Sequence, residues 1–292
     1  MQSSEGEGEG EGAGEGEGAV GGSHLARLGR PLEAGIDFER PNAARLYDYY
    51  LGGAHNFAVD RALGEQVIEV MPEVRAWARA NRAFLARVVR YCVDQGVRQF
   101  LDLGSGIPTV NHVHDIAREI APRSRVAYVD FEPVAVAHSQ ELLAEVEGVS
   151  MTRADARDPA SVLSSPGVTE VLDFSEPVAV LAVALMHFVS DADDPAAMIA
   201  GYRQVLVPGS FLAMSQISDD YDDPALTAGV RALVELYRGS ATPGYLRDRA
   251  QIRALFGGLD LVEPGLVDIN HWRNEIPDPP QLSNYAGLAR IP

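Results

Sequence analysis

From Asn42 onward, apolar positions first recur at helical spacing and then break into short runs. Residues 43–51 form an amphipathic stretch stopped by Gly52-Gly53. A second helix is expected over 59–70. It ends at Met71-Pro72, because a residue before proline is pushed out of the α region. A third is expected over 73–95. Its apolar positions Val74, Trp77, Phe84, Leu85, Val88 and Tyr91 fall three or four apart, and Gly96 stops it.

After Gly96 the pattern changes. Short apolar runs at 97–103, 126–129, 149–152, 178–185 and 211–217 alternate with helical stretches near 109–121, 133–146, 158–173 and 195–206. Strands alternating with helices predict an α/β domain, a parallel sheet with helices on both faces. Helices are expected near 224–239 and 244–256. The runs at 259–269 and 282–289 have no helix between them and predict a closing antiparallel hairpin at one sheet edge. Residues 1–22 alternate Glu and Gly with almost nothing apolar, so they cannot offset their ordering entropy. The expected organisation is a disordered tail over 1–33, a helical cap over 34–95 and the α/β domain over 96–292.

Composition narrows the functional classes. Hydrophobic residues make up 46% of the 292, enough for a sizeable core. The longest apolar run, 178–186, is too short to span a bilayer, and no charged-then-apolar signal stands at the start. No membrane association and a cytoplasmic location are expected. The single cysteine, Cys92, rules out an internal disulfide and a cysteine-cluster metal site, and its apolar neighbours predict a buried thiol. The formal net charge is −18, of which −5 lies in the first 33 residues. A body so acidic repels phosphate backbones, so nucleic acid is not expected as a partner.

The chemistry concentrates at three strand ends. In Phe100-Leu101-Asp102-Leu103-Gly104-Ser105-Gly106 a buried strand runs into a glycine turn, and a helix is expected from Pro108-Thr109. The two glycines let backbone approach a ligand lying over the strand's carboxyl end. Asp130 ends the next strand, 24 residues after Gly106, near the spacing that reaches a ribose diol. Asp155, followed by Ala156, ends the third. Three carboxylates on one rim disfavour a pyrophosphate, and Thr109 stands where a dinucleotide fingerprint needs its third glycine. S-adenosylmethionine carries a sulfonium and an ammonium and no phosphate, so this rim suits it. Asp130 and Asp155 could instead be ordinary helix caps.

Longer stretches carry a resemblance. Residues 40–53 (RPNAARLYDYYLGG) with Asn56-Phe57, 80–85 (ANRAFL), 99–109 (QFLDLGSGIPT), 185–189 (LMHFV), Pro208-Gly209-Ser210 and 261–265 (LVEPG) are similar to signatures of a family of S-adenosylmethionine-dependent methyltransferases found chiefly in actinobacteria. The resemblance covers residue 40 to the C-terminus. It implies the Rossmann-like class I methyltransferase fold, with a mostly parallel seven-stranded sheet, one antiparallel strand in its edge pair, and a helical segment covering the cleft. It implies cofactor binding at the glycine turn, and together with the strand-end acids the expected cofactor contacts are Asp102, Gly104, Ser105, Gly106, Asp130, Phe131, Asp155 and Ala156. Tyr47 and Arg82 would close the site, Arg82 on the methionine carboxylate, although Tyr47 also fits ordinary helix packing. No particular methyl acceptor is implied.

His187 follows the fourth strand and is the candidate general base or acceptor-positioning group, with a strand-end histidine bonded to backbone as the alternative. His112 and His114, two apart on an expected helix, should point to different sides, so no metal site is expected. Asp191, Asp193 and Asp194 read as a loop and N-cap before Pro195, and Asp219, Asp220, Asp222 and Asp223 as a solvated loop. Three functions fit: a methyltransferase acting on a small-molecule acceptor, an adenosyl-ligand-binding protein without transferase activity, and a nicotinamide-dependent oxidoreductase. The third is disfavoured by Asp102 and the missing glycine. Ala184-Leu185-Met186-His187 stands where adenine and glutamine N-methyltransferases carry an Asn-Pro-Pro-Tyr-like motif, leaving other acceptors open.

Overall fold

The structure is a computed structural model that describes residues 35–107 and 112–292. The tail expected over 1–33 and the helix start expected at Pro108-Thr109 lie outside the described residues. Three helices come first: α1 (Ala43–Tyr50), α2 (Ala58–Val70) and α3 (Val74–Asp94). Asn42 caps α1 through its side chain, which accepts from the Ala44 N–H. The alternating half follows as β1 (Gln99–Leu103), α4 (Val113–Ile120), β2 (Arg125–Asp130), α5 (Pro133–Leu143), β3 (Val149–Arg153), α6 (Pro159–Ser164), α7 (Pro166–Thr169) and β4 (Val178–Ala182). It closes with α8 (Pro195–Arg203), β5 (Phe211–Ile217), α9 (Pro224–Tyr237), α10 (Arg249–Leu255), β6 (Val267–Asp268) and β7 (Asn284–Arg290).

The seven strands form one sheet in the order β3-β2-β1-β4-β5-β7-β6. The first five are mutually parallel, and β7 runs antiparallel to both β5 and β6. The central strands β1, β4 and β5 are buried along their whole length, as a sheet covered on both faces requires. Successive side chains point to opposite faces. Phe100, Ala179 and Phe211 pack with the core of α3, α4 and α9, and Leu101, Val180 and Leu212 with that of α8 and α10. Cys92 is fully buried on α3 and burial pushes its thiol up, so it is a core side chain.

Three expected elements differ in detail. The helix over 158–173 is broken into α6 and α7, because Pro166 forces Ser165 into extended backbone. The strand over 178–185 stops at Ala182, and Ala184 takes a left-handed turn at φ +57°. The first hairpin arm shrinks to β6 and one isolated bridge between Leu261 and Ala289. Asp194 caps α8 as expected, accepting from the Ala197 N–H. Among the described residues, no helix is long and apolar enough to cross a membrane.

Candidate functional site

The alternation along β1 decides where its acid points. Phe100 faces the α3 core and Leu101 the opposite one, so Asp102 returns to the α3 side, where Arg82 stands. Beyond Leu103 the chain turns back over β2. The N–H groups of Gly104 and Ser105 both donate to the Val129 carbonyl, at 2.8 and 3.1 Å. Gly104 has φ +65°, and a Cβ there would lie 2.7 Å from the Leu185 side chain. A side chain there would strain the backbone and force Leu185 to shift. Gly106, at φ +67°, donates its N–H to Asp130 Oδ2 at 2.7 Å, while Asp130 Oδ1 accepts from the Glu132 N–H at 2.8 Å. One carboxylate thus holds the glycine turn and its own loop together.

Asp102 and Asp130 are only 5% and 6% exposed. Burial pushes the Asp102 carboxyl up to about 7. Arg82 pulls it part of the way back, and the Asp130 charge pushes it further. Burial also pushes Asp130 up to about 6, against the backbone N–H groups of Glu132 and Gly106. Two acids at one floor, both disfavoured in their charged forms, form a place where a cation is stabilised. This donor set fits S-adenosylmethionine. Asp102 and Arg82 complement its ammonium and carboxylate, and Asp130 has lone pairs left for ribose hydroxyls.

The floor opens into a cleft of about 890 Å³, measured out to its mouth. Its roof comes from α1 and α3, with Tyr47, Tyr50, Trp77 and Arg82, and its rear wall from the turn after β4, with Leu185 and His187. A neighbouring lobe of about 680 Å³ shares Gly104, Asp130, Phe131 and Leu185 with it and continues past Ala156 to Asp155 and Arg157. Phe131 is 45% exposed beside this lobe, an apolar face available to a flat base.

The structure therefore gathers most of the expected residues around one continuous space. Three are tied up in ways the spacing did not foretell. The Tyr47 hydroxyl donates to the Ala78 carbonyl at 2.9 Å and binds α1 to α3, while its ring meets Trp77 edge-on. The Asp155 carboxylate is gripped by the Arg157 guanidinium at 2.6–3.0 Å, which holds it below the usual carboxylate range. His187 is 2% exposed, and its Nδ1 is buried without a hydrogen-bond partner. Burial, aided by Arg247, holds the imidazole at about 3, so it is neutral at ordinary pH. Its carbonyl accepts from the Tyr245 N–H, and Arg247 pins the same turn through the Met186 and Val189 carbonyls.

The expectation that spacing separates His112 from His114 does not hold. His112 precedes α4 as its extended N-cap, at φ −64° and ψ 151°, so helical geometry does not govern the pair. The rings stack at 5.3 Å, and Asp115 lies 2.8 Å from His112 Nδ1 and 3.4 Å from His114 Nε2.

Sequence reasoning missed the latch beside Asp130. Arg45, 1% exposed, donates from Nε to Asp60 Oδ2 and from Nη1 to Glu132 Oε1, both at 2.8 Å. Its Nη2 reaches the carbonyls of Asp37 and Arg40. The second oxygen of Glu132 caps α5 by accepting from the Ala135 N–H. Arg45 thus fastens the helical segment to the loop that follows Asp130. Each member lies in a different segment, so no local spacing could have revealed it.

Together, the strand order, the glycine turn and the paired buried acids define a class I methyltransferase-type α/β domain. The chain belongs to the S-adenosyl methyltransferase family, whose sequence model matches residues 30–292. The family's cofactor is S-adenosylmethionine. Two solved structures are similar over nearly their whole length. A candidate methyltransferase from Thermobifida fusca is 37% identical, with TM-score 0.82, covering 88% of this chain and 97% of its own. A DUF574 family protein from Streptomyces avermitilis is 36% identical, with TM-score 0.83, covering 88% and 100%. No curated protein matches the chain.

Proposed function

We propose that the protein is an active methyltransferase acting on a small molecule held in the cleft beneath α1 and α3. The observation that carries this reading is the asymmetry of the cleft, with an acidic floor for the cofactor and an aromatic roof left over for an acceptor. S-adenosylmethionine supplies an electrophilic methyl group attached to a sulfonium. The chain's own groups bind and orient: Asp102 and Arg82 at the amino-acid end, Asp130 at the ribose, Phe131 and Ala156 along the base. Tyr47 acts by packing, since its hydroxyl already serves α3. His187, neutral and buried, accepts a hydrogen bond from the acceptor and orients it. Its low basicity suits a proton released late, as the new bond forms. A roof built from helices excludes water and admits only acceptors small enough to enter the mouth. The Arg45 latch makes that roof a fixed part of the site. The helical segment over 34–95 is, on this reading, a cap, and residues 96–292 are the cofactor-binding domain.

Titration calorimetry with S-adenosylmethionine, S-adenosylhomocysteine and NAD, repeated on Asp130→Ala, tests the cofactor half. Both adenosyl ligands should bind and NAD should not, and the substitution should weaken both. Labelled methyl transfer into a small-molecule cell extract tests turnover. Tight adenosyl binding with no transfer to any component would favour a binding protein without transferase activity.

A further inference from the structure

Beside His187 the cleft adjoins a narrow recess with room for a single small group such as a hydroxyl. It is walled by Tyr50, Trp77, His187, Phe188 and Tyr237 and closed by aliphatic side chains such as Ile217 and Leu233. Among the described residues, none that walls the recess carries a carboxylate, guanidinium or ammonium group. The charged side chains of the cleft, among the described residues, are Asp102 and Asp130 on the floor, Arg82 on the roof beside Asp102, and Glu132 in the Arg45 latch. A phosphate, carboxylate or ammonium placed in the recess would lose its hydration and find no countercharge.

The recess nevertheless has two polar atoms to satisfy. Trp77 Nε1 and His187 Nδ1 are both buried without a hydrogen-bond partner, and the two rings lie 5.8 Å apart, edge to face. A bare buried donor or acceptor costs about 1–3 kcal/mol, so a ligand that engages both is selected over one that engages neither. The indole N–H can only donate, and a neutral imidazole offers one acceptor nitrogen. The smallest group that accepts from the first and donates to the second is a hydroxyl. The two tyrosine hydroxyls there bond to each other, Tyr50 to Tyr237 at 3.2 Å. The surrounding rings meet in mixed geometry: Trp77 lies edge-on to Tyr47 and His187 edge-on to Phe188, while Phe188 and Tyr237 stack at 6.1 Å. Such a cluster offers both faces and edges to a further flat ring.

We infer that the methyl acceptor is an uncharged aromatic molecule carrying a hydroxyl, its ring lying in the cleft under Tyr47 and Trp77 and its hydroxyl entering the recess, between the Trp77 N–H and the His187 imidazole. The inference rests on the methyltransferase reading above and names its substrate class. In the step it implies, the hydroxyl oxygen forms a bond to the methyl carbon as the sulfonium–carbon bond breaks, leaving a neutral thioether. The hydroxyl proton passes to His187 and on to solvent. An oxygen gaining a methyl group becomes strongly acidic, so even a weakly basic imidazole takes that proton. Trp77 is a specificity-determining residue here, and it has no part in binding the cofactor.

The test uses the full chain and takes two steps. Calorimetry first measures S-adenosylhomocysteine binding to the parent, Trp77→Phe and His187→Phe. On the saturated protein it then measures 2-naphthol, 2-methylnaphthalene and 2-naphthoate. We expect 2-naphthol to bind at least tenfold more tightly than either analogue and to be methylated by S-adenosylmethionine. The advantage over 2-methylnaphthalene should vanish in Trp77→Phe, which keeps a ring but removes the N–H, while S-adenosylhomocysteine affinity stays at the parent's level. Equal binding of 2-naphthol and 2-methylnaphthalene would overturn the inference, as would a preference for 2-naphthoate or no binding of any arene. Either result would leave the cofactor reading standing. Failure of S-adenosylhomocysteine to bind the folded parent would sink both.

Discussion

Two pairs of buried carboxylates lie side by side in this protein and are treated in opposite ways. Asp60 and Glu132 share the Arg45 guanidinium at 2.8 Å each, and their remaining oxygens take backbone N–H groups. Asp102 and Asp130, one of them only two residues from Glu132, are pushed by burial to about 7 and about 6. The first pair is complete within the protein. The second is only partly offset, Arg82 drawing Asp102 back some of the way, and on the proposed function a cationic ligand completes it. Groups of the same type and burial thus differ in how far the chain's own countercharge offsets their burial.

Removing the shared countercharge is the strongest way to break the comparison. Arg45→Met would leave two carboxylates buried without a cation, a loss of about 3–5 kcal/mol. The melting temperature should fall by roughly 10 °C. Arg45→Lys should recover part of this, since one ammonium cannot span two carboxylates and two carbonyls at once. If Arg45→Met melts within 2 °C of the parent, the latch is not a structural element.

The unfinished pair should respond in the opposite sense. With Asp102 near 7, the folded protein holds a proton between about pH 4 and 7 that the unfolded chain has already released. Raising the pH through that window therefore withdraws stability, on the order of 4 kcal/mol at most. Melting curves of the ligand-free protein should fall from pH 5 to pH 8, and Asp102→Asn should flatten that fall and melt higher at pH 8. The same substitution should weaken S-adenosylmethionine by ten- to a hundredfold, since a charge-assisted hydrogen bond contributes about 1.5–3 kcal/mol. Parent affinity should in turn rise as pH climbs through 6 to 7, because the ionised carboxyl is the form that meets the cation. A pH-independent affinity would show that Asp102 does not contact the cofactor.

The difference between the pairs also marks what could be read in advance. Asp102, Gly104, Gly106 and Asp130 follow from local pattern, because a strand, its glycine turn and the acid ending the next strand keep a fixed spacing along the chain. The parallel sheet and its antiparallel finish are legible for the same reason. The Arg45 latch joins residues 15 and 87 positions apart, and Trp77 meets His187 across 110, so neither leaves a spacing to find. His112 shows the reverse failure. The i,i+2 separation of a helix does not hold there, because His112 lies before the helix begins.

Asp155 gives the smallest and sharpest case, standing between the two treatments. It carries a countercharge, Arg157, but both side chains are more than 40% exposed, so water competes with the pair. Arg157→Ala should lower stability by no more than about 1 kcal/mol. It should also let the Asp155 carboxyl rise towards its ordinary value, which carboxyl NMR through a pH titration would follow. If Arg157 only neutralises a surface acid, S-adenosylmethionine affinity should stay within threefold of the parent. If the freed carboxylate turns to the base lobe, affinity should increase, and the increase should vanish in Arg157→Ala combined with Asp155→Ala. That double substitution separates an acid that is merely capped from one that is waiting for adenine.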